Sequence, residues 1–319
     1  MADTRVLVVR LGAMGDVIQT LPAVASLKHG IPHSKITWIV EKRWSALLEG
    51  NPYVDRTIFL DRGSVRGILG SWRDLRASHY EFAVDFQGLI KSAAIAAIAR
   101  PERIFGFASP LVREWPAAWC YSNKTRSTSV HMVDLNLDLA AAAGASSLLR
   151  TFPLPPGRSE GRLPQSDFVL ASPLAGWGAK QWPLEFYGEL GKRLRREFGM
   201  KLVLNGAESI EVDGADPHVS GLPGLLDATR RATAVVGVDS GPLHLAAALG
   251  KTGVAIYGPT DPARNGPYGG TFTILRSPGA VTTLKRNTDP HRSMRAISSG
   301  TVFEALAKVL CSRSVTPTL

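Results

Sequence analysis

The chain alternates between strand-like and helix-like stretches, and this alternation stops once and then starts again. Arg5–Val9 is a short β-branched run that ends in Leu11-Gly12-Ala13-Met14-Gly15-Asp16, after which Val17, Ile18, Leu21 and Val24 recur at helical spacing. Residues 36–40, 57–60 and 82–86 are further apolar runs separated by helix-sized segments. Strands that alternate with helices specify a parallel α/β sheet. Residues 151–165, TFPLPPGRSEGRLPQ, are dense in Pro and Gly and carry no apolar period, as a linker does. The alternation then resumes with runs at 168–171, 201–204, 234–238 and 253–257 and helical patterns at 182–197 and 241–249. At 319 residues the chain has about twice the commonest length for one core. The expected organisation is therefore a first domain over 1–158, a second over 159–298, and a closing segment over 299–319. In that last segment Val302, Leu306 and Leu310 form one helical face, expected to pack back toward the first domain.

With 45% hydrophobic and 20% charged residues, the composition excludes disorder, collagen and coiled coil. Cys120 and Cys311 are the only cysteines, which provides neither a disulfide framework nor a cysteine zinc site. The opening MADTRVLVVR holds only a four-residue apolar run, too short for a signal-peptide core, so a cytoplasmic location is expected. No later apolar stretch has the length of a span, so any membrane association would be peripheral. Lys and Arg outnumber Asp and Glu by 37 to 27, a surplus that favours an anionic partner. The basic residues are scattered through an α/β pattern with no nucleic-acid module, so no nucleic-acid partner is expected.

Three segments hold the candidate chemistry. A glycine loop leading from a first strand into a helix can present N–H groups to an anion, but here it reads G-x-x-G and places Asp16 where a pyrophosphate would approach. This disfavours a dinucleotide-dependent oxidoreductase. Asp16 is then either a helix cap or a catalytic carboxylate at the carboxyl end of a strand. In the second half, a strand ends at Asp239, Ser240 is placed to cap a helix, and Gly241 and His244 fall in its first turn. That arrangement suits an anion, while a histidine satisfied within the fold is the plain alternative. The third segment, Ala175-Gly176-Trp177-Gly178-Ala179-Lys180, combines glycines that let backbone N–H groups turn inward with a lysine, as a diphosphate requires.

Five stretches taken together resemble one family. These are Gly15–Ala23, Asp85–Ala93, Lys180–Pro183, Asp239–Leu245 and Tyr257–Pro262, which in this order look like the ADP-heptose:lipopolysaccharide heptosyltransferases, glycosyltransferase family 9. The Gln-Gly-Leu-Ile-Lys-Ser-Ala stretch and residues 113–124 are more similar to the first heptosyltransferase type than to the second. The resemblance implies a GT-B fold, two Rossmann-like α/β domains facing a central cleft, with acceptor on the first and nucleotide sugar on the second. It implies inverting transfer of L-glycero-D-manno-heptose from ADP-heptose to a Kdo residue of the lipid A precursor, on the cytoplasmic face of the inner membrane, whose anionic surface is a further partner. Heptosyltransferase II or another GT-B transferase is the alternative.

By the same resemblance Asp16 is the base, and Lys180 stabilises the leaving diphosphate. Ala175, Gly176, Asp239, Ser240, Gly241 and His244 contact the donor, with a ribose-binding carboxylate at Glu208 or, preferably, Glu211. Gly15, Gln87 and Arg113 fall on the acceptor side. The basic cluster of Arg62, Arg66, Arg73, Arg76 and Lys91 flanks that half and suits an acidic acceptor. Where first-type relatives carry adjacent Thr hydroxyls on the donor phosphates, this chain has Ala175-Gly176. The grip there is expected to come from backbone N–H groups. No cofactor is expected, and without an Asp-x-Asp motif no metal.

Overall fold

Strands buried on both faces are written as unbroken apolar runs, and the runs VLVV, FAVD, AVVGV and GVAIY each lie inside a parallel sheet. The computed structural model describes residues 3–61, 64–283 and 288–314. The chain divides into two units, Met1–Pro155 and Pro156–Leu319.

The first unit runs β1 (Thr4–Val9), α1 (Met14–Gly30), β2 (Ser34–Glu41), β3 (Arg56–Leu60), α2 (Val65–Arg76), β4 (Phe82–Asp85), α3 (Ile90–Ile98), β5 (Arg103–Phe107), β6 (Asn123–Thr125) and α4 (Met132–Ala142). A 3-10 turn, Trp115–Cys120, precedes β6. The sheet is parallel throughout, in the order β3-β2-β1-β4-β5-β6. Because right-handed crossovers run outward in opposite directions from β1 and β4, α1 lies on one face while α2 and α3 lie on the other. The contacts agree: α1 packs on α4, and α3 touches both α2 and the Trp115–Cys120 turn. Pro22 inside α1 costs a helical hydrogen bond, and nearby the side chain of Asn136 on α4 donates to the Gln19 carbonyl at 3.0 Å.

The second unit repeats this plan with β7 (Phe168–Ser172), α5 (Leu184–Phe198), β8 (Lys201–Gly206), β9 (Asp216–Val219), α6 (Leu222–Arg231), β10 (Ala234–Val238), α7 (Gly241–Ala248), β11 (Gly253–Tyr257), α8 (Pro262–Asn265), β12 (Phe272–Arg276), α9 (Arg292–Arg295) and α10 (Ser299–Ser314). Its parallel sheet is ordered β12-β11-β10-β7-β8-β9. Read from the other edge, this is the strand order of the first sheet, and both match the doubly wound dinucleotide-fold order. Helix α5 buries Tyr187, Leu190 and Leu194 and ends at Gly199, whose φ of +65° is the left-handed conformation that glycine accepts at least cost. The closing helix, α10, buries Val302, Phe303, Leu306 and Leu310 in the core of this second unit, against α5 and β11.

Candidate active site

In an open α/β sheet, ligands bind outside the carboxyl ends of the strands, where successive connections diverge. In the first unit that point lies between β1 and β4, and in the second between β7 and β10. The three candidate segments from the sequence follow β1, β7 and β10.

At the end of β1, Arg10 is 1% exposed. Its Nη2 lies 2.9 Å from Asp16 Oδ1, and its Nη1 donates to the Phe86 carbonyl at the end of β4. Burial is the main influence lowering the Arg10 pKa, and the adjacent Asp16 charge opposes it. Asp16 occupies the first turn of α1, where Oδ2 accepts the Ala13 N–H at 3.1 Å. Its position at the positive end of the helix dipole favours a carboxylate. Arg113 adds a second, solvent-exposed guanidinium, with Nη1 3.5 Å from Oδ2. The Arg113 segment is seated by Gly88, whose φ is +66° and whose carbonyl accepts the Glu114 N–H at 2.9 Å. A side chain at Gly88 would meet the Arg113 backbone N at 3.2 Å. Asp16 is therefore both a cap and a charged group fixed from two sides.

Across the switch point, Asp85 is fully buried at the end of β4. It accepts from Tyr121 OH at 2.7 Å, Ser92 Oγ at 2.8 Å, and the N–H groups of Gln87 at 2.9 Å and Gly88 at 3.3 Å. Burial raises its pKa and these four donors oppose the rise. Burial, and then Asp85 itself, push the Tyr121 hydroxyl well up. Gln87 is buried too, and its Oε1 accepts the Leu11 N–H at 2.8 Å. That oxygen ties the two strand ends together.

In the second unit, Lys180 ends a 3-10 turn, Gly178–Lys180, after β7. Its Nζ lies 2.6 Å from Asp239 Oδ2 and over the Trp177 ring, 4.5 Å from the centroid. The other carboxylate oxygen of Asp239 lies 3.6 Å from His244 Nε2. Burial acts to raise the Asp239 pKa, but His244 and Lys180 outweigh it and hold the carboxyl at about 2. Ser240 caps α7 backbone-first, since its side chain makes no cap bond and its buried Oγ has no partner among the described residues. Thr260, in the turn that follows the adjacent β11, carries a second buried hydroxyl without a partner among the described residues. The first-turn N–H of Gly241 has no helical acceptor by geometry. A lysine at the end of the turn after β7 and a helix N-terminus after β10 are the kinds of group that bind a diphosphate. Among the described residues, no three His, Cys, Asp or Glu side chains are grouped to hold a metal ion.

The remaining expected site residues are placed as follows. Gly15 is buried in the first turn of α1. Arg66 and Arg73 are exposed on α2, and Lys91 is exposed on α3. Arg62 lies outside the described residues. Glu211 is exposed after β8, with Oε1 accepting from Ser209 Oγ at 2.5 Å. Ala175 and Gly176 lie between β7 and Lys180, and a side chain at Gly176 would meet nothing within 4 Å. Gly178 behaves differently: a Cβ there would fall 1.5 Å from the Thr288 carbonyl oxygen, so its role is close packing. The sequence reading assigned no role to Arg10, Asp85, Tyr121 or Thr260. An arginine closing the run VLVVR was the one available signal, because a buried charge requires a partner.

Two Rossmann-type units of this strand order, each with a polar constellation at its switch point, define the class: the fold is GT-B, the architecture of many nucleotide-sugar glycosyltransferases. The sequence pattern of glycosyltransferase family 9 (heptosyltransferase) matches residues 68–292, and the chain belongs to that family. Among curated relatives, lipopolysaccharide heptosyltransferase 1 of Escherichia coli O18:K1:H7 is 29% identical over 320 residues, covering 86% of this chain and 92% of that one. The protein of the same name from Pseudomonas aeruginosa is 29% identical over 86% of this chain and 84% of its own. Lipopolysaccharide heptosyltransferase 2 of Salmonella typhimurium is 25% identical over 98% of this chain and all of its own. Among solved structures, E. coli heptosyltransferase WaaC with ADP superposes with a TM-score of 0.77 at 24% identity, covering 96% of this chain and 100% of that one. E. coli ADP-heptose lps heptosyltransferase II gives 0.76 at 22% identity, over 98% and 100%.

Proposed function

We propose that this glycosyltransferase moves L-glycero-D-manno-heptose from ADP-heptose to a Kdo residue of the lipid A precursor, with inversion at the anomeric carbon, while resting peripherally on the anionic inner membrane. The observation that supports this most directly is the division of chemistry between the two switch points. One carries a fixed carboxylate, Asp16, and the other a lysine-centred anion cradle. Glycosyl transfer needs both, because a hydroxyl must lose its proton as a diphosphate leaves through an oxocarbenium-like transition state.

In this reading Asp16 accepts the proton of the attacking Kdo hydroxyl, a general-base contribution of roughly two to four powers of ten. Arg10 holds it in line, and Arg113, the exposed partner, meets the acidic acceptor. Gly15 lines the acceptor approach. On the donor side Lys180 and the Ser240/Gly241 terminus, with Thr260, stabilise charge growing on the departing phosphate. Asp239 and His244 orient Lys180, and Glu211 receives the ribose. The names of the relatives and the ADP-bound WaaC structure support the donor choice. Metal independence is part of the proposal, because Lys180 supplies the positive charge at the diphosphate.

The test is direct: purified protein, ADP-heptose and Kdo-lipid A are combined, and ADP release and product mass are followed. One heptose added per acceptor supports the reading. Transfer that occurs only to an acceptor already carrying heptose would favour the heptosyltransferase II alternative.

A further inference from the structure

The helical layer on one face of the first sheet has an outer surface unlike that of a soluble helix layer. Helix α3 carries Ile90, Ala94, Ala97 and Ile98 on its exposed side, and Lys91 is its only charged residue. A helix that is apolar on its outward face is normally covered. Neighbouring α2 exposes Ile68, Leu69 and Trp72 beside its buried Leu75. On the other side of α3, the Trp115–Cys120 turn presents Trp115 and Trp119, which are 62% and 73% exposed. Their rings meet edge-on with centroids 4.8 Å apart. Single exposed apolar residues are ordinary, but several of them on each of three adjacent elements mark an interaction surface.

Charge selects the occupant. Arg66, Arg73 and Arg76 border the apolar shoulder of α2, with Asp74 as the helix's only acid. Glu114, beside the tryptophans, accepts the Ile90 N–H at 2.7 Å. Two copies joined through this layer would set arginines against arginines, which opposes a symmetric dimer. A bilayer of anionic lipid matches all three features: apolar side chains enter the acyl boundary, indoles sit at headgroup level, and arginines meet phosphates.

We infer that the layer formed by α2, α3 and the Trp115–Cys120 turn is the surface on which this protein docks to an anionic lipid bilayer. It rests on the proposed acceptor only for its purpose. Arg113, which lies 3.5 Å from Asp16, is followed directly by Glu114 and Trp115, so the docked edge borders the carboxylate. A lipid-linked acceptor can therefore keep its acyl chains in the bilayer while its sugar reaches Asp16.

The experiment is co-sedimentation of the full chain with phosphatidylethanolamine/phosphatidylglycerol vesicles and with phosphatidylcholine vesicles. Wild type should bind the anionic vesicles, release in high salt, and bind the neutral ones weakly. The triple variant Leu69→Ser, Ile98→Ser, Trp119→Ser should partition roughly tenfold less or worse. Its transfer to an acceptor lacking acyl chains should match wild type. Should the triple variant fail to fold, Trp119→Ser alone, at the most exposed of these positions, should still lower partition and reduce the blue shift of tryptophan emission on vesicle addition. Wild type indifferent to anionic vesicles, or variants that bind as well as wild type, overturns the inference. So does a dimer that the same variants dissociate while vesicles are ignored, which would assign the face to a second copy. Vesicle binding without heptose transfer would defeat the proposed function and leave the docking surface standing.

Discussion

Arg10 and Asp16 form an ion pair, Nη2 to Oδ1 at 2.9 Å, in which the arginine is buried and the carboxylate is open to one side. The guanidinium also donates to the Phe86 carbonyl, so a single side chain joins β1, β4 and the start of α1. Replacing Arg10 by Leu removes that junction and leaves a carboxylate without its main partner. We expect a loss of about 2 to 4 kcal/mol in denaturant unfolding, together with a fall in kcat, because Asp16 loses its orientation. A variant with wild-type stability and rate would show that the pair holds nothing in place.

Asp239 makes stability depend on pH in a defined direction. Its folded pKa, about 2, lies below the ordinary value of 3.8. The ionised form is therefore favoured by folding, and the contribution is complete above the unfolded value and disappears as pH falls through the folded one. Asp239→Asn should cost about 2 kcal/mol at pH 7. The difference from wild type should shrink below about pH 4 and vanish near pH 2. Thermal unfolding of both proteins across this range checks the prediction, and a difference independent of pH would contradict it.

Lys180→Ala should raise the donor KM and lower kcat together, because negative charge on the diphosphate grows toward the transition state. If steady-state kinetics showed a change in acceptor KM alone, the donor assignment of the second unit would fail. Under the same conditions EDTA should leave the rate unchanged, and strict dependence on magnesium would overturn the metal-free chemistry.

Replacing Arg62, Arg66 and Arg73 together by Ala should raise acceptor KM at low salt and leave ADP-heptose KM nearly unchanged. Wild-type acceptor KM should climb as sodium chloride shortens the screening length. An acceptor KM insensitive to both changes would remove these arginines from acceptor binding.

Central strands were the most readable part of the fold. β1, β4, β7, β10 and β11 are continuous apolar runs because both faces are covered. The interior strand β5, whose run RIFGF opens on Arg103 and is broken by Gly106, is not singled out in the sequence, and neither are the edge strands β6, β9 and β12. NKT and DPHV have too few apolar residues to show a period, and β12 has an exposed Thr273 and Ile274. Helix α6 has Pro223 and Gly224 in its first turn, which hides its helical period in the sequence although a proline there is well tolerated. Asp16, Lys180 and Asp239 stood out because each follows a recognisable strand. Their partners did not, since Arg10 reaches Phe86 across 76 positions and Asp85 reaches Tyr121 across 36. Only folding brings such residues together.

In the proposed mechanism the Asp16 carboxylate does the chemistry on the acceptor while the second unit holds the nucleotide. Single-turnover transfer by Asp16→Asn, measured beside ADP binding by the same preparation, tests it most directly. The expected result is a rate reduced roughly a hundredfold or more with ADP affinity close to wild type. A variant that keeps more than about a tenth of the wild-type rate, or one that loses ADP affinity in step with its rate, would contradict it.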